Sequence, residues 1–341
     1  MRPAGGRRQI DVLLVSLGST QGLRTADEQL QASLERAGAT VVLAPAQTPR
    51  PQRTTMLTDL AWARAARRAA SAALERYSPR ASIYSSTTAA LLWPRLGAIR
   101  FDALSAGNRP GHHGLWQRPL ERRRLAEAPL LLPWGEGALQ EMPPGVIPAE
   151  RALVLPVAVE PSGLVATVRD IAAITYAANP HKKGLDRVLE AWRSARRAGE
   201  ELVIAGASVE ELERAGIGGP SGDGARVVGR LAPDDYRAML RRARVFVCAP
   251  RREDYGIAQL EALAEGCRLV TSPAPGPYAA LPIARKLDPR LVGENLQSAL
   301  RVALDDPLPD YAERARVAIE PFGPQAVERV VAEQLLPRLL A

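Results

Sequence analysis

Two stretches of the chain share one pattern of apolar and polar positions. Near the amino terminus, a mostly apolar run over 10–17, broken by Asp11, is followed by a loop that contains Gly18. An amphipathic segment over 25–37 then ends at Gly38 and leads into a predicted strand over 40–43. A continuous apolar run predicts a buried strand, and apolar positions three and four apart predict a helix packed on it. The pattern therefore predicts a strand, helix and strand unit.

The second stretch begins near the middle of the chain. Apolar residues 172–177 precede a loop that contains Gly184, and a helix is predicted over 185–198. Gly199 ends this helix, and residues 202–205 form the next apolar run. Strands buried on both faces are typical of parallel sheets covered by helices. The fold class predicted is therefore α/β, with two parallel-sheet domains.

Domain boundaries are predicted where the composition changes. Residues 152–163 pass from a strand into a segment rich in proline and glycine, so the first domain is expected to span 1–163. The second domain is expected to span 164–320. Two prolines then precede the terminal segment 321–341, in which an amphipathic helix is predicted over 325–340.

Composition agrees with a protein of two domains. The chain has 341 residues, of which 46% are hydrophobic, enough for two cores. No apolar run reaches the length of a bilayer span, so a cytoplasmic location is expected. Cys248 and Cys267 lie in predicted strands or at their edges, which favours reduced thiols over a disulfide framework. Neither a zinc-ligand spacing nor a nucleophile triad occurs in the sequence.

The positive charge is concentrated in the first half. Residues 1–163 hold 20 basic and 13 acidic side chains, whereas 164–341 hold 25 and 24. Nucleic acid, an anionic membrane surface or an acidic acceptor could each be the partner of a basic domain. Nucleic acid is the weakest of the three, because only 4% of residues are aromatic and none alternate with basic residues. The alternative is a solvated basic surface with a neutral acceptor.

A cluster of arginines contributes to this charge. Arg118 and 122–124 lie on a predicted helix with Glu121 and Glu127, and the two acids are too few to pair with every arginine. A phosphate-binding face is therefore one interpretation of the cluster, and a solvated helix surface is the other.

Two carboxylates eight residues apart are the most specific chemical feature. Glu253 precedes a predicted helix that begins at Ile257 and ends at Gly266, and Glu261 lies within it. Glu261 lies on or beside the apolar face of that helix, where a carboxylate needs hydrogen-bond donors. The two hydroxyls of a ribose could supply them, and Glu253 could accept from the hydroxyls of a second sugar. The plainer interpretation is a solvated glutamate.

The start of this helix could bind phosphate. The backbone amides of Tyr255, Gly256 and Ile257 would have no partner within the helix, and such amides bind anions. A diphosphate between the two sugars would lie there. These features together outline a nucleotide-sugar site.

A second candidate anion site precedes the helix over 185–198. Lys182 and Lys183 lie between a strand and the helix start, where amides and an ammonium group could converge on a phosphate. Basic pairs at such positions are often only solvated. However, the chain has 42 arginines and three lysines, so two adjacent lysines are not ordinary basic filler.

These motifs resemble those of a known family. Residues 253–261 have the form Glu-x-x-Gly-x-x-x-x-Glu, followed by ALAEGCRLVT over 262–271. This resembles the signature of retaining glycosyltransferases of family 4, also called group 1. The preceding strand 244–250 is similar to the family's, and residues 183–186 resemble its Lys-Gly-x-Asp. The motif resemblance covers 172–305, and over 10–160 it is architectural only.

The resemblance implies a fold and a reaction. The family has the GT-B fold, in which two Rossmann-like domains face each other across a cleft and a terminal helix returns to the first domain. Its members transfer a hexose from a nucleotide diphosphate sugar to an acceptor hydroxyl with retention of anomeric configuration. No metal and no cofactor besides the donor substrate would be required, because Lys183, helix amides and an arginine stabilise the leaving diphosphate.

The sequence departs from the family pattern at one phosphate-binding position. The family commonly has an arginine five residues before the lysine that corresponds to Lys183, and this chain has Ala178 there. Arg230 and Arg252 are the candidates to replace it. The segment 227–236 around Arg230 resembles the strand and turn that lie against the nucleotide base in the family.

Further candidates lie in the first half. The loop at Gly18 resembles the family's glycine-rich loop beneath the donor phosphates, although it lacks the adjacent glycine pair. Asp102 and His112 or His113 follow a predicted strand and are candidates to contact the transferred sugar or the acceptor. The alternative for this loop is a surface turn whose side chains bond their own backbone.

Two rival functions stay open at this point. A nucleotide-sugar epimerase of GT-B fold would share the nucleotide site and need no acceptor. A GT-B protein that binds nucleotide sugar without turnover is suggested by Ala178 and by the loop at Gly18, which lacks the adjacent glycine pair. If the chain is a transferase, the acceptor is expected to be anionic or lipid-linked, with contact at the inner membrane face, or else neutral.

Overall fold

The computed structural model describes residues 7–142, 149–163, 168–217 and 224–341. The chain divides into two compact units. Unit 1 comprises Met1–Ala158 together with Pro324–Ala341, and unit 2 comprises Val159–Gly323. The structural divisions therefore fall at 158 and 323, beside the positions 163 and 320 chosen from the sequence.

The described residues form ten strands and fifteen α-helices. The strands are β1 (Arg8–Ser16), β2 (Val41–Pro45), β3 (Tyr77–Tyr84), β4 (Ala98–Phe101), β5 (Leu131–Pro133), β6 (Ile171–Tyr176), β7 (Leu202–Ala205), β8 (Ala225–Gly229), β9 (Ala243–Cys248) and β10 (Arg268–Thr271). The helices are α1 (Gln21–Arg36), α2 (Thr55–Arg76), α3 (Thr87–Ala90), α4 (Ser105–Asn108), α5 (Gln117–Glu127), α6 (Glu136–Gln140), α7 (Leu185–Ala195), α8 (Val209–Arg214), α9 (Pro233–Arg242), α10 (Ile257–Ala264), α11 (Ala280–Leu287), α12 (Leu296–Asp305), α13 (Tyr311–Ile319), α14 (Pro324–Val330) and α15 (Leu336–Leu340).

Unit 1 is built on a five-stranded parallel sheet. Its strand order is β2-β1-β3-β4-β5, so the chain reverses its direction of winding between β1 and β3. One face of the sheet packs against the terminal helical segment through Val327, Val331 and Leu335. The other face is buried beneath residues such as Ala66 and Ala70 of α2. Both faces are therefore covered, as the continuous apolar strands predict.

Unit 2 is built on a second five-stranded parallel sheet. Its order is β10-β9-β6-β7-β8, so the winding reverses between β6 and β9. The apolar stripe of α7, with Val188, Leu189 and Trp192, is fully buried. In open parallel sheets, ligands bind at the carboxyl ends of the strands where the winding reverses. The loops that follow β6 and β9 occupy that position.

Three helix boundaries differ from those predicted. Helix α1 begins at Gln21 rather than near residue 25, because the Thr20 hydroxyl accepts a hydrogen bond from the Leu23 amide and caps the helix. Helix α7 ends at Ala195 rather than 198, because Arg196 has extended backbone with ψ of 149°. The single terminal helix predicted over 325–340 is α14 and α15 joined by a π-helical turn over Val331–Leu335.

Both cysteines are free thiols in the core of unit 2. Burial raises the pKa of Cys248, and it raises the pKa of Cys267 to about 12. Thiols protonated in this way are poor nucleophiles. Within the described ranges, no helix combines the length and the apolar character that crossing a bilayer requires.

Candidate functional site

Two loops of unit 2 are joined at the point where the winding of its sheet reverses. One follows β6 and the other follows β9, and the Arg251 amide donates to the Lys182 carbonyl at 2.9 Å. Gly184 has φ of +65°, and a Cβ at this position would lie 1.9 Å from the Ala249 carbonyl oxygen. Glycine is required here by both backbone conformation and space. The close approach brings the side chains of the two loops together.

The predicted residues Lys183 and Glu253 form an ion pair between these loops. Lys183 Nζ lies 2.7 Å from Glu253 Oε2, and the side chains are 21% and 5% exposed. Gln259 Nε2, from α10, donates to the same oxygen at 2.9 Å. The buried carboxylate of Glu253 therefore has one charged and one neutral donor, as a buried charge requires.

A second cluster of charges lies beside the first, and its carboxylate, Asp254, was not predicted from the sequence. Asp254 holds Lys182 Nζ at 2.5 Å on one carboxylate oxygen and Arg252 Nε at 2.8 Å on the other. Three cations therefore surround two carboxylates at this point of the fold. The signal for this cluster in the sequence was that two of the three lysines are adjacent, but the partner carboxylate was not evident.

Helix α10 begins directly after these charges. Gly256 precedes it with φ of +91°, and a Cβ there would approach the Tyr278 ring to 3.0 Å. Across the part of the chain that is described, no group accepts a hydrogen bond from the amides of Gly256 and Ile257. Tyr255 is buried, with its ring 6.5 Å from that of Phe322. The helix start thus offers two amide donors on a rigid support.

Glu261 lies one turn into α10 and is partly buried. Burial raises the pKa of this carboxyl to about 7, and the positive charge of Arg237 opposes the rise. None of the described residues donates a hydrogen bond to it. A carboxylate in this state gains strongly from donors that a ligand brings.

Two tyrosines lie close to Glu261 and were not recognised from the sequence. Tyr176 and Tyr236 have ring centroids 5.4 Å apart. Burial raises the pKa of both phenols, and the charge of Glu261 raises it further. The Tyr236 hydroxyl is buried and has no hydrogen-bond partner within the described ranges. The surroundings of Glu261 therefore include an unused phenolic donor.

The two arginines considered as replacements at Ala178 have different surroundings. Arg252 belongs to the charge cluster beside Lys183. Arg230 pairs instead with Glu211 at 2.6 Å, and its side chain is 66% exposed. The structure therefore groups Arg252 with Lys183, and Arg230 has another partner.

The candidates in unit 1 lie in two places, because Asp102 and both neighbours of Gly18 line one cavity and the two histidines do not. Asp102 lines a cavity of about 210 Å³, and its side chain accepts from the Ala103 amide at 2.9 Å. His112 and His113 are exposed, with ring centroids 4.2 Å apart, and they lie outside the lining of that cavity. Gly18 has φ of +58°, and the side chain of Arg24 donates to its carbonyl at 2.8 Å. Their predicted roles stay predictions.

The arginines of α5 have different surroundings, and only two of the four pair with an acid among the described residues. Arg123 and Arg124 both pair with Glu127, at 2.7 and 2.6 Å. Arg124 also lies 5.2 Å from the centre of the Trp93 ring. Arg118 donates to the carbonyls of Gly111 and Gly114, so it is also engaged. One glutamate can pair with two arginines when both reach it from the same helical turn.

The arrangement in unit 2 can be compared with known proteins. Residues 170–291 match the family model described as glycosyl transferases group 1. The matched range includes the Lys183 loop, Glu253 and Glu261. It confirms the predicted enzyme class, a glycosyltransferase. Comparison with curated proteins finds no match to this sequence.

Several solved structures resemble the whole chain. Sucrose-phosphate synthase from Thermosynechococcus elongatus has a TM-score of 0.73 at 16% identity, over 98% of this chain and 99% of that chain. HepE from Anabaena, in complex with UDP and glucose, has a TM-score of 0.66 at 13% identity, over 96% and 99%. A trehalose-6-phosphate synthase has 0.69 at 13%, over 95% and 98%. These likenesses confirm the predicted GT-B fold.

Proposed function

We propose that the chain transfers a hexose from a nucleotide diphosphate sugar to an acceptor hydroxyl, with retention of anomeric configuration. The observation that carries the proposal is the Lys183 and Glu253 pair at the reversal point of a group 1 glycosyl transferase domain. HepE, which has a similar fold, binds UDP and glucose. The work on the similar trehalose-6-phosphate synthase concerns glycosyl transfer with retention.

Each part of the donor has a proposed partner in unit 2. The ribose hydroxyls donate to Glu261, which has no donor of its own among the described residues. The diphosphate accepts from the amides of Gly256 and Ile257 at the start of α10. Lys183 exchanges its bond to Glu253 for one to the diphosphate, and Glu253 then accepts from hydroxyls of the sugar.

The reaction breaks the bond between the anomeric carbon and the diphosphate oxygen. The acceptor oxygen bonds to that carbon from the same face, and the acceptor proton passes to the departing phosphate oxygen. No base from the protein is needed in this scheme. Negative charge develops on the diphosphate, and the cations of Lys183, Lys182 and Arg252 stabilise it. We therefore propose that turnover does not depend on a metal ion.

The two rival functions make different predictions for donor alone. An epimerase converts a nucleotide sugar without an acceptor, and a binding protein leaves it unchanged. A transferase releases nucleoside diphosphate when an acceptor is present, and slowly when water takes its place. All three functions would use the same donor site, so product analysis separates them.

The test is an assay with UDP-, GDP-, ADP- and dTDP-linked hexoses. Each donor is incubated with the protein and a panel of sugar acceptors, with and without EDTA, and nucleoside diphosphate release is measured. Product configuration is determined by NMR from the anomeric coupling constant. The expected result is release that EDTA does not abolish and a product with the configuration of the donor. An inverted product or an epimerised donor would overturn the proposal.

A further inference from the structure

One residue of α10 differs in character from the rest of that helix. Gln259 lies in the first turn of α10 and is 1% exposed. Its neighbours in the helix include Ala258, Leu260 and Leu263, and all of them are buried. A buried amide stabilises a fold less than an apolar side chain of similar size, unless each of its polar groups has a partner. The contacts of the Gln259 amide therefore decide what the residue contributes.

Only one end of this amide is hydrogen-bonded. Gln259 Nε2 donates to Glu253 Oε2 at 2.9 Å and, over a longer distance of 3.7 Å, to Cys248 Sγ. Gln259 Oε1 is buried and has no hydrogen-bond partner among the described residues. The carboxylate orients the amide, because an ionised carboxylate accepts hydrogen bonds and cannot donate them. What distinguishes glutamine from an apolar residue at this position is therefore the donor that it offers to Glu253.

The surroundings of Gln259 are closely packed. Cys248 and Thr271 end the neighbouring strands β9 and β10, and the Cys248 thiol donates to Thr271 Oγ1 at 3.3 Å. The Tyr278 hydroxyl lies 3.0 Å from Thr271 Oγ1 and 3.4 Å from Cys248 Sγ. All of these side chains are buried. The donor to Glu253 therefore comes from the packed core of unit 2.

The two donors to Glu253 differ in what the proposed reaction asks of them. Lys183 lies in a loop with its side chain 21% exposed, and it exchanges Glu253 for the diphosphate. Gln259 is then the only side chain of the described residues that still donates to Glu253 Oε2. Glu253 Oε1 accepts from none of the described residues. A buried carboxylate without any donor is costly and would rotate towards water or another donor.

We propose that Gln259 is a positioning residue for Glu253. Through Nε2 it holds Glu253 Oε2 while the diphosphate engages Lys183, so Glu253 Oε1 stays directed at the hydroxyls of the transferred sugar. Gln259 itself touches no substrate and acts only through Glu253. The role in transfer rests on the proposed function, whereas the hydrogen bond between the two side chains does not.

The first test replaces the amide by a side chain of similar size. Gln259→Met should lower kcat by about 30-fold, because a hydrogen bond to a charged group is lost. Kd for the nucleoside diphosphate should stay within about twofold, because Glu253 acts on the sugar. The donor is the nucleotide sugar that binds most tightly among the UDP-, GDP-, ADP- and dTDP-linked hexoses. Steady-state kinetics and calorimetry on the full chain measure the two quantities.

A matched control lies in the same buried network. Tyr278→Phe removes the hydroxyl contacts with Cys248 and Thr271 and leaves the donor to Glu253 in place. We expect its melting temperature to fall and its kcat to stay within about threefold of the unchanged protein. Melting curves of Gln259→Met, recorded beside it, confirm that the variant is folded. A kcat as low in the control as in Gln259→Met would assign the loss to the packing of the core and overturn the positioning role.

The second test asks whether Gln259 acts through Glu253. In a double variant, Gln259→Met is combined with Glu253→Ala. A residue that only positions Glu253 has nothing left to position there, so kcat should stay within about twofold of that of Glu253→Ala alone. Losses that multiply would show that Gln259 acts in another way.

The third test uses a conservative variant with a pH signature. In Gln259→Glu, a protonated carboxyl at this position can donate to Glu253, whereas two ionised carboxylates repel each other. Its kcat relative to the unchanged protein should therefore recover as pH falls from about 8 to about 5 and decline as pH rises. Lys183, Cys248 and Tyr278 are the other titratable groups near Glu253. Burial raises the pKa of both the Cys248 thiol and the Tyr278 phenol, so neither titrates in this range. A residue that only fills space would show no such recovery.

The outcomes separate the positioning role from the proposed function. An unchanged kcat in Gln259→Met would overturn the positioning role alone. If the protein binds a nucleotide sugar and transfers nothing, the readout is the ratio of its Kd values for the nucleoside diphosphate and the nucleotide sugar. A smaller ratio in Gln259→Met would then support the positioning role and overturn only the proposed function, whereas an equal ratio would overturn both. No binding by any nucleotide sugar would also overturn both.

Discussion

The two sheets have their binding positions at the same point of their topology, but the side chains at the two positions differ. In unit 2, the loops at the reversal point hold three cations, two carboxylates and the start of α10. In unit 1, the corresponding place is a cavity lined mostly by hydroxyls and amides, with its one arginine paired with Asp59. Topology fixes where a ligand can bind, and the side chains of the loops fix its charge.

The difference has a physical consequence for each ligand. A diphosphate carries charge that grows as its bond to the sugar breaks, so cations and amide donors stabilise it most in the transition state. A neutral sugar gains little from charge and much from matched hydrogen bonds, which hydroxyls and amides provide. The cations and amides of unit 2 therefore agree with a donor that carries a diphosphate.

The largest expected effect is on the contact between the loops that follow β6 and β9 in unit 2. Gly184→Ala forces a methyl group to 1.9 Å from the Ala249 carbonyl oxygen at φ of +65°, so the loops must separate. We expect a loss of about 3 kcal/mol or more in the free energy of unfolding. Gly199→Ala is the control, since it has φ of +81° with no atom within 4 Å and should cost only about 1 kcal/mol. Denaturant unfolding measures both, and equal losses would contradict the steric account.

Much of this architecture could be predicted from the sequence. The two strand, helix and strand units are evident because parallel strands are apolar throughout and because glycines end the helices. The strand over 202–205 was placed at its observed bounds. Lys183 and Glu253 were both selected as site residues, since lysine is rare in this chain and the carboxylates have a distinctive spacing. The contact between these two side chains is evident only in the folded structure.

The rest depends on contacts between distant segments. Asp254 holds Lys182 across 72 positions of sequence, and Gln117 contributes to the cavity lining from α5, in which four of the eleven residues are arginines. No local pattern encodes such partners. The pairing of Arg123 and Arg124 with Glu127 was missed for another reason, because counting acids nearby does not show that one carboxylate serves two guanidinium groups.

The next largest effect concerns the charge of the donor site. Lys183→Ala should lower kcat by about 100-fold and change KM much less, because its interaction strengthens as the diphosphate departs. Lys286→Ala is the control, since this exposed lysine of α11 lies outside the site. Steady-state kinetics with the best donor measure both. An unchanged kcat in Lys183→Ala would mean that the positive charge at the reversal point of unit 2 does not promote turnover. It would contradict the comparison of the two units.

A tenfold effect is expected from the titration of Glu261. Its pKa is about 7 in the free protein, and ribose hydroxyls bind the ionised form, so the bound pKa is lower. Nucleoside affinity should therefore be constant above pH 7 and fall by up to about tenfold for each pH unit below it. Calorimetry with a nucleoside, which has no titrating phosphate, measures this.

The same group should affect the stability of the free protein. The folded pKa of Glu261 lies above the ordinary 4.5, so its contribution to the free energy of unfolding is full below pH 4.5 and declines as pH rises through 7. Glu261→Gln cannot ionise and should be more stable than the unchanged protein at pH 8, by about 2 kcal/mol. It should also lose the pH dependence of nucleoside binding. A variant that keeps this dependence would assign the titration to another group.

The smallest effect is expected at the basic surface of unit 1, where we propose contact with an anionic membrane. Arg122 is exposed and, among the described residues, has no ion-pair partner, whereas Arg123 is held by Glu127. Arg122→Ala should weaken association with phosphatidylglycerol vesicles by about fivefold at low salt, since each free cation near such a surface contributes about 1 kcal/mol. Arg123→Ala is the matched control and should have a smaller effect, because its charge is already compensated.

Sedimentation with vesicles measures both, and association should weaken as salt rises from 50 to 200 mM, because the Debye length shortens to about 8 Å or less. No sedimentation at low salt would remove the membrane proposal.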